Sequence, residues 1–363
     1  MSEKLNSFHL GILCFMTQTG VAAFSLSQVL AQYFGTNGWL ALILVSLVVT
    51  FNIYFISLVY RRGEGRSIFD ILEQAVPKIF LVPIYIGLVA LWAIIGSLVS
   101  KQYLLLYQMI SFPTTSPMLF KLFLDFVAMM LLMKGLQAIS RASTVFFWLI
   151  VWLFFLLFFF IPDIRLVRYT THIFQDGESW SQGALAVYLS FLGYELLMVL
   201  FPYIDRKTSF FKSVFWGNFG VTLTYLSFSI VAFGFFSLGQ LKMLLYPLMD
   251  MLAYIRLPFI ERLENLLYGF ILFTTVITIV MFWFAALETS MRLFAKGRKK
   301  LIVFIIAAGT YIISFIPDSL PDVQNWLKLL GTVETILSFG LPLALIVLLK
   351  FQRAKGGHQH AQR

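Results

Sequence analysis

The sequence predicts an all-α integral membrane protein with ten transmembrane helices, set as two five-helix repeats of opposite orientation, the first helix of each repeat being broken. Three observations predict it. The 363 residues are 60% hydrophobic and only 12% charged, whereas a soluble domain is nearer half apolar and a quarter charged. So few charges do not cover a globular surface, and lipid must be the solvent. The chain also divides into ten apolar stretches, each close to the roughly 20 residues that cross a hydrocarbon core. Finally, the first and sixth stretches each carry a polar, glycine-containing interruption.

The stretches run over 8–32, 38–60, 81–110, 118–137, 141–162, 181–203, 212–236, 264–292, 300–317 and 328–350. The first lacks an A-x-A-like cleavage site and is read as a span rather than a signal peptide. The third and eighth are long, so they tilt or extend into water. Segment 67–80 places Ile68, Ile71, Leu72 and Ala75 on one helical face, with Asp70, Glu73 and Gln74 elsewhere. That pattern predicts an amphipathic helix on the membrane surface. Segment 242–260 is also expected to be helical, on the opposite side. The Phe-rich run through span five is expected to face lipid. Residues 1–351 thus form a single polytopic domain, with repeat one at about 8–162 and repeat two at about 181–350, followed by a tail at 352–363.

Ten is even, so both termini share a side. With the N-terminus in the cytoplasm, nineteen of the 27 Lys and Arg fall on inner segments, the asymmetry that orients membrane proteins. This distribution accounts for the net charge of +10 without a nucleic-acid partner. The single Cys14 excludes an internal disulfide framework. Lys101 is expected to snorkel to the outer surface from span three. Glu288, four residues before Arg292, has the spacing of a helical ion pair. Glu334 sits near the outer end of span ten, its depth left open.

Each surface helix follows the second span of its set of five, and each interruption falls in the first. Five is odd, so the second set enters the membrane from the opposite side. That is the inverted-repeat architecture of secondary transporters, in which the binding site lies at two broken helices. Here the breaks are Thr17-Gln18-Thr19-Gly20 and Phe191-Leu192-Gly193-Tyr194-Glu195. Gly20 and Gly193 open a helix or simply pack closely against a neighbour. Glu195, a carboxyl at membrane depth, is a candidate to bind a cationic amine, take up a proton, or hold the opened backbone; otherwise it is a structural carboxyl paired to a neighbouring helix. Thr274, Thr275 and Thr278 on span eight either line a cavity or bond their own backbone.

The four histidines, His9, His172, His358 and His360, lie in loops, tails or at an interface, and Cys14 has no His or Cys near it. Neither a metal spacing nor a phosphate loop is present, so the chain is expected to be no enzyme and to need no cofactor.

The chain resembles the B subunits of spore germinant receptors, the spore-germination permease family within the amino acid–polyamine–organocation superfamily. The residues that carry the likeness are Phe191-Leu192-Gly193-Tyr194-Glu195 followed by Pro202-Tyr203, and Pro258-Phe259-Ile260-Glu261-Arg262-Leu263-Glu264 entering span eight. The resemblance implies a LeuT-like fold and a sensor in the inner spore membrane. Such a sensor binds a small germinant, often an amino acid, and works with a larger A subunit, a lipoprotein C subunit and the surrounding membrane lipid. Gly193, Tyr194 and Glu195 match the family's site on span six, beside Phe191. Span one departs from it: relatives show a Gly-x-Gly-like break, often with a following proline, whereas this chain has one glycine, Gly20, and no proline. Thr17, Gln18 or Thr19 then supply donors instead, or the ligand is not an amino acid. Two alternatives stand beside the receptor: a proton-coupled amino acid transporter, and an ion or water conduit opened during germination.

Overall fold

A computed structural model describes the backbone of residues 4–111, 114–255, 263–294 and 297–360. Among them there are fourteen α-helices and no strand beyond an isolated bridge between Leu5 and Ile204.

The first span is two helices, α1 (Ser7–Gln18) and α2 (Ala23–Phe34), bent by 63° about the intervening residues. Asn6 starts α1 by accepting the His9 amide at 3.0 Å, the usual service of an Asn side chain at an N-cap. At Thr19 the backbone turns extended, with φ −76° and ψ 113°, so the helical ladder stops there. Helix α3 (Leu40–Arg62) is the second span.

The expected surface helix over 67–80 divides. Helix α4 covers only Ile68–Ala75, capped by Ser67, and α5 (Lys78–Ser111) begins after Pro77. Proline pushes the residue before it out of the helical region, and Val76 is extended at φ −126°. The buried face of α4 includes Phe69 beside Ile68 and Ile71, and Asp70 reaches Arg292 at 2.6 Å. Arg292 therefore pairs across helices. Glu288, expected to be its partner, accepts instead from the Tyr203 hydroxyl at 3.0 Å.

Helices α6 (Pro117–Lys134) and α7 (Leu136–Val151) follow, and a 3₁₀ segment, Trp152–Asp163, prolongs α7. Phe155, Phe158 and Phe159 of the Phe-rich run are exposed, as a lipid-facing surface requires. Trp148 is exposed with them, whereas Phe160 is buried and Phe146 stacks on Phe273.

The sixth span is α8 (Trp180–Leu189) and a second 3₁₀ segment, Glu195–Tyr203, separated by residues 190–194. Helix α9 (Phe210–Phe235) is followed by α10 (Leu238–Met243) and α11 (Pro247–Tyr254) where one helix over 242–260 was expected. Pro247 starts α11, the first-turn position where its missing N–H is harmless; residues 256–260 lie outside the described residues. Helices α12 (Leu263–Leu293), α13 (Lys299–Ile313) and α14 (Leu320–His360) complete the chain, α14 continuing through the segment expected to be a separate tail.

Six of these helices are long and apolar enough to cross a membrane, and the bent α1–α2 pair makes a seventh. The other three expected spans are helical, but each falls short by a physical feature. Helix α6 carries Lys121, Asp125 and Lys134, α8 is broken, and α13 has 15 residues.

Helices α5 and α12 make the most extensive pairing in the fold; α1 packs on α12 and carries α9 on it, and α14 packs on α5. Leu44, Leu47, Phe51, Phe123 and Phe126 are exposed, whereas Asn52, Lys101, Lys121, Asp125 and Glu195 are buried. Apolar groups outside and polar groups within are what a lipid solvent selects. Lys101 does not snorkel: it is buried, and its ammonium donates to the Ser314 carbonyl at 2.6 Å and to that of Pro317, the carbonyl-rich end of α13.

Candidate functional site

The two breaks meet. Gly193 has φ +120°, and a β-carbon there would stand 3.0 Å from both Cγ2 and the carbonyl oxygen of Thr17. Only glycine combines that conformation with so close an approach. Each break frees carbonyls that have no helical partner, and side chains from the opposite element take them up. Gln18 donates to the Phe191 carbonyl at 2.7 Å and to Asn218 Oδ1 at 3.1 Å. The Tyr225 hydroxyl, on α9, lies 2.9 Å from the Gln18 carbonyl and 3.1 Å from that of Ser190. With one proton it donates to one end at a time. Thr278 lies 3.1 Å from the Thr17 carbonyl.

Glu195 closes the second break from inside. Its two carboxyl oxygens each lie 2.8 Å from the Gly193 amide. The same carboxyl is in hydrogen-bonding contact with that of Glu334 on α14, which in turn accepts from Trp92 Nε1 of α5 at 2.9 and 3.1 Å. Glu334, whose depth the sequence leaves open, is therefore in the interior. Beside the pair, the Tyr188 hydroxyl joins that of Tyr194 and lies 2.9 Å from Ser338 Oγ.

The expected site residues thus divide by what they touch. Gln18, Phe191, Gly193, Tyr194 and Glu195 form one buried junction. The Thr17 hydroxyl is spent on its own helix, donating to Leu13 at 2.7 Å, although its carbonyl faces the junction. Thr19 Oγ1 is buried without a partner among the described residues. Gly20 has open space where a β-carbon would go. Thr274 and Thr275 both bond Ile271 of their own helix, and of the three threonines only Thr278 also reaches across to α1.

Sequence reasoning passed over Trp92, Asn218, Tyr225 and Asn52. The last is fully buried on α3, where its amide faces the Tyr188 hydroxyl. A lone amide inside an apolar span was a signal open to sequence reading; which residues it would face was not.

A groove of about 810 Å³ opens between α1, α7 and α9, bordered by Phe15, Thr19, Gly20, Phe147 and Trp216. It reaches the first break at Thr19 and Gly20 and is also lined by Thr274 of α12, as expected of a cavity-lining threonine; Glu195 is not among its lining residues. No cluster of three His, Cys, Asp or Glu is present among the described residues. A junction of amides, hydroxyls and two carboxyls is suited to binding and to moving protons, and supplies no nucleophile–base arrangement.

Solved structures share this architecture. A nucleobase-cation-symport-1 family transporter, Mhp1, with bromovinylhydantoin bound superposes with a TM-score of 0.65 at 13% identity, over 94% of this chain and 78% of that one. MhsT in complex with L-phenylalanine gives 0.65 at 14% identity, over 96% and 89%. The fold is therefore the LeuT-like transporter fold, and the chain is a multi-pass membrane protein of permease type rather than an enzyme. Among curated proteins, spore germination protein A2 of Bacillus subtilis (strain 168) is 25% identical over 96% of both chains. Spore germination protein GerQB of Bacillus cereus is 21% identical over 91% of this chain and 90% of its own. A family model described as Spore germination protein matches residues 4–323, nearly the whole length over which the broken helices and their supporting spans are built, and the chain belongs to that family of spore germination permeases.

Proposed function

We propose that this chain is the membrane subunit of a spore germinant receptor, binding a small nutrient germinant at the two touching breaks. The observation that carries the reading is the buried polar junction itself. Gln18, Asn218, Tyr225, Gly193 and Glu195 gather the backbone groups freed by both breaks, and the side chains that bond them, at the centre of a transporter fold. A neighbour in that fold was crystallised with L-phenylalanine, which supports an amino acid as the ligand class. Asn52, buried on α3 and facing the Tyr188 hydroxyl, adds an amide to the junction. The ligand acts by favouring one of two arrangements of the broken helices, and its differential affinity sets the shift. Partner A and C subunits read that shift in the inner spore membrane, with both termini of this chain cytoplasmic, the side favoured by nineteen of 27 basic residues.

The test is thermal stabilisation of the purified protein across amino acids, sugars and nucleosides. A ligand of the folded state stabilises it by about 2.7 kcal/mol at a hundredfold excess over its Kd. A hit that disappears in Glu195→Gln and Gly193→Leu supports the junction as its site; a hit unaffected by both refutes it. The transporter fold itself favours a second reading, coupled solute transport. Accumulation of labelled ligand against a gradient in proteoliposomes would decide for it.

A further inference from the structure

We infer that Glu195 and Glu334 form a single proton-binding site, one proton shared between the two carboxyls, which locks the break of the sixth span to α5 and α14. The inference concerns a proton, so it stands apart from the identity of any organic ligand.

Both carboxyls are buried, Glu195 at 3% exposure and Glu334 at 1%, and each is among the groups in hydrogen-bonding contact with the other. Ionised carboxylates accept hydrogen bonds and cannot donate them, so a bond between two carboxyls needs a proton on one. Two adjacent carboxylates in a low dielectric cannot both stay charged without a cation. Among the described residues no Lys or Arg is paired with either carboxyl. The groups that face it are Trp92 from α5, the Gly193 amide, Tyr188 from α8, Tyr194 of the break and, on Glu195, the Cys14 thiol of α1. The charged groups of the surrounding elements are engaged elsewhere. Lys101 holds the Ser314 and Pro317 carbonyls, and Lys121 pairs with Asp125. Arg292 pairs with Asp70 and Lys78 with Glu73, while Glu288 takes the Tyr203 hydroxyl.

The remaining contacts define what the proton controls. Glu334 is held by Trp92, a fixed donor on the central α5. Glu195 is held by the amide of Gly193, the residue at φ +120°. With the proton in place, α5, α14 and the break are linked in one chain of hydrogen bonds. When the proton leaves for solvent, two like charges repel. Glu195 then swings from Glu334, and the Gly193 amide loses its present geometry. Any change of the break that parts the two carboxyls ends the sharing of the proton and so shifts its affinity, and proton binding must in turn bias the break, because such coupling is reciprocal.

Infrared difference spectroscopy of the purified full chain tests this without any ligand. The wild type at neutral pH should show a protonated-carboxyl C=O band that shifts in D₂O. Glu195→Gln and Glu334→Gln should each abolish that band, because a glutamine amide donates to the remaining carboxylate and no proton is needed. In the same variants the thermal midpoint should lose one titration step that the wild type shows. A band that survives both substitutions, or its absence from the wild type, overturns the shared proton. Glu334→Gln keeps Gly193 and Glu195 intact, so a folded variant with an unchanged pH profile also overturns it. A ligand panel that gives no hit would leave this result untouched, so failure here and failure of the receptor reading are distinguishable.

Discussion

The side-chain amide of Gln18 donates at 2.7 Å to the carbonyl of Phe191, 173 residues further along the chain, and so closes with one residue a gap that two broken helices open. The same nitrogen holds Asn218. Gln18→Leu removes both bonds, with the one from Cys14, and leaves the Phe191 carbonyl and Asn218 Oδ1 without the donor they share. Leaving one such group unmade costs about 1–3 kcal/mol. The expected outcome is a fall in the thermal midpoint, with faster hydrogen exchange at residues 190–194. A variant as protected as the wild type would show that the breaks are held by something else.

The two glycines of the breaks should answer oppositely to one added methyl group. Gly193→Ala forces a side chain to φ +120° and 3.0 Å from Thr17, a strain of about 1–3 kcal/mol. Gly20 has open space at its β-carbon position and no positive φ, so Gly20→Ala should stay within about 0.5 kcal/mol of the wild type. Parallel denaturation of the two variants checks the difference.

Tyr225→Phe keeps the ring that packs edge-on against Phe191 at 5.5 Å and removes only the hydroxyl shared between the Gln18 and Ser190 carbonyls. A cost of about 1 kcal/mol is expected. Combined with Gln18→Leu it should be non-additive, because both act on one junction. Strict additivity in a double-mutant cycle would separate them.

Lys121 and Asp125 form an ion pair with both side chains inside the protein, where Ser97 and Ser100 complete the bonding at 2.9 and 3.0 Å. Lys121→Met should cost about 3–5 kcal/mol by stranding the carboxylate, and Lys121→Met with Asp125→Leu should recover most of it. Recovery is read as expression and midpoint of the double variant against the single one.

Cys14 is buried, and its thiol donates to Gln18 Oε1 at 3.2 Å. The native chain should therefore resist a membrane-impermeant maleimide. A cysteine at the exposed Lys299 should label only after the cytoplasmic face is opened; labelling of intact cells would reverse the orientation proposed here.

Hydropathy alone was enough to locate the helical stretches, because water and lipid sort residues before any tertiary contact forms. It was also enough to place both breaks, since a glycine beside polar groups cannot sit unpaired in hydrocarbon. Glu195 stood out for the same reason. The sequence misassigned Arg292 and Lys101 because spacing along one helix is visible in it, whereas neighbours across helices are not. Asp70 lies 222 residues from Arg292, and Ser314 lies 213 from Lys101.

The sequence by itself therefore determined that this protein is a multi-pass membrane protein of apolar helices, and which two of its stretches are interrupted. Only the tertiary structure decided that the interruptions touch at Thr17 and Gly193, that Glu195 faces Glu334, and that Trp92, Asn218 and Tyr225 complete the junction. Those pairings depend on the rotation and axial register of packed helices. Register is set jointly by all the close-packed side chains of the interior, and no local stretch of sequence carries it.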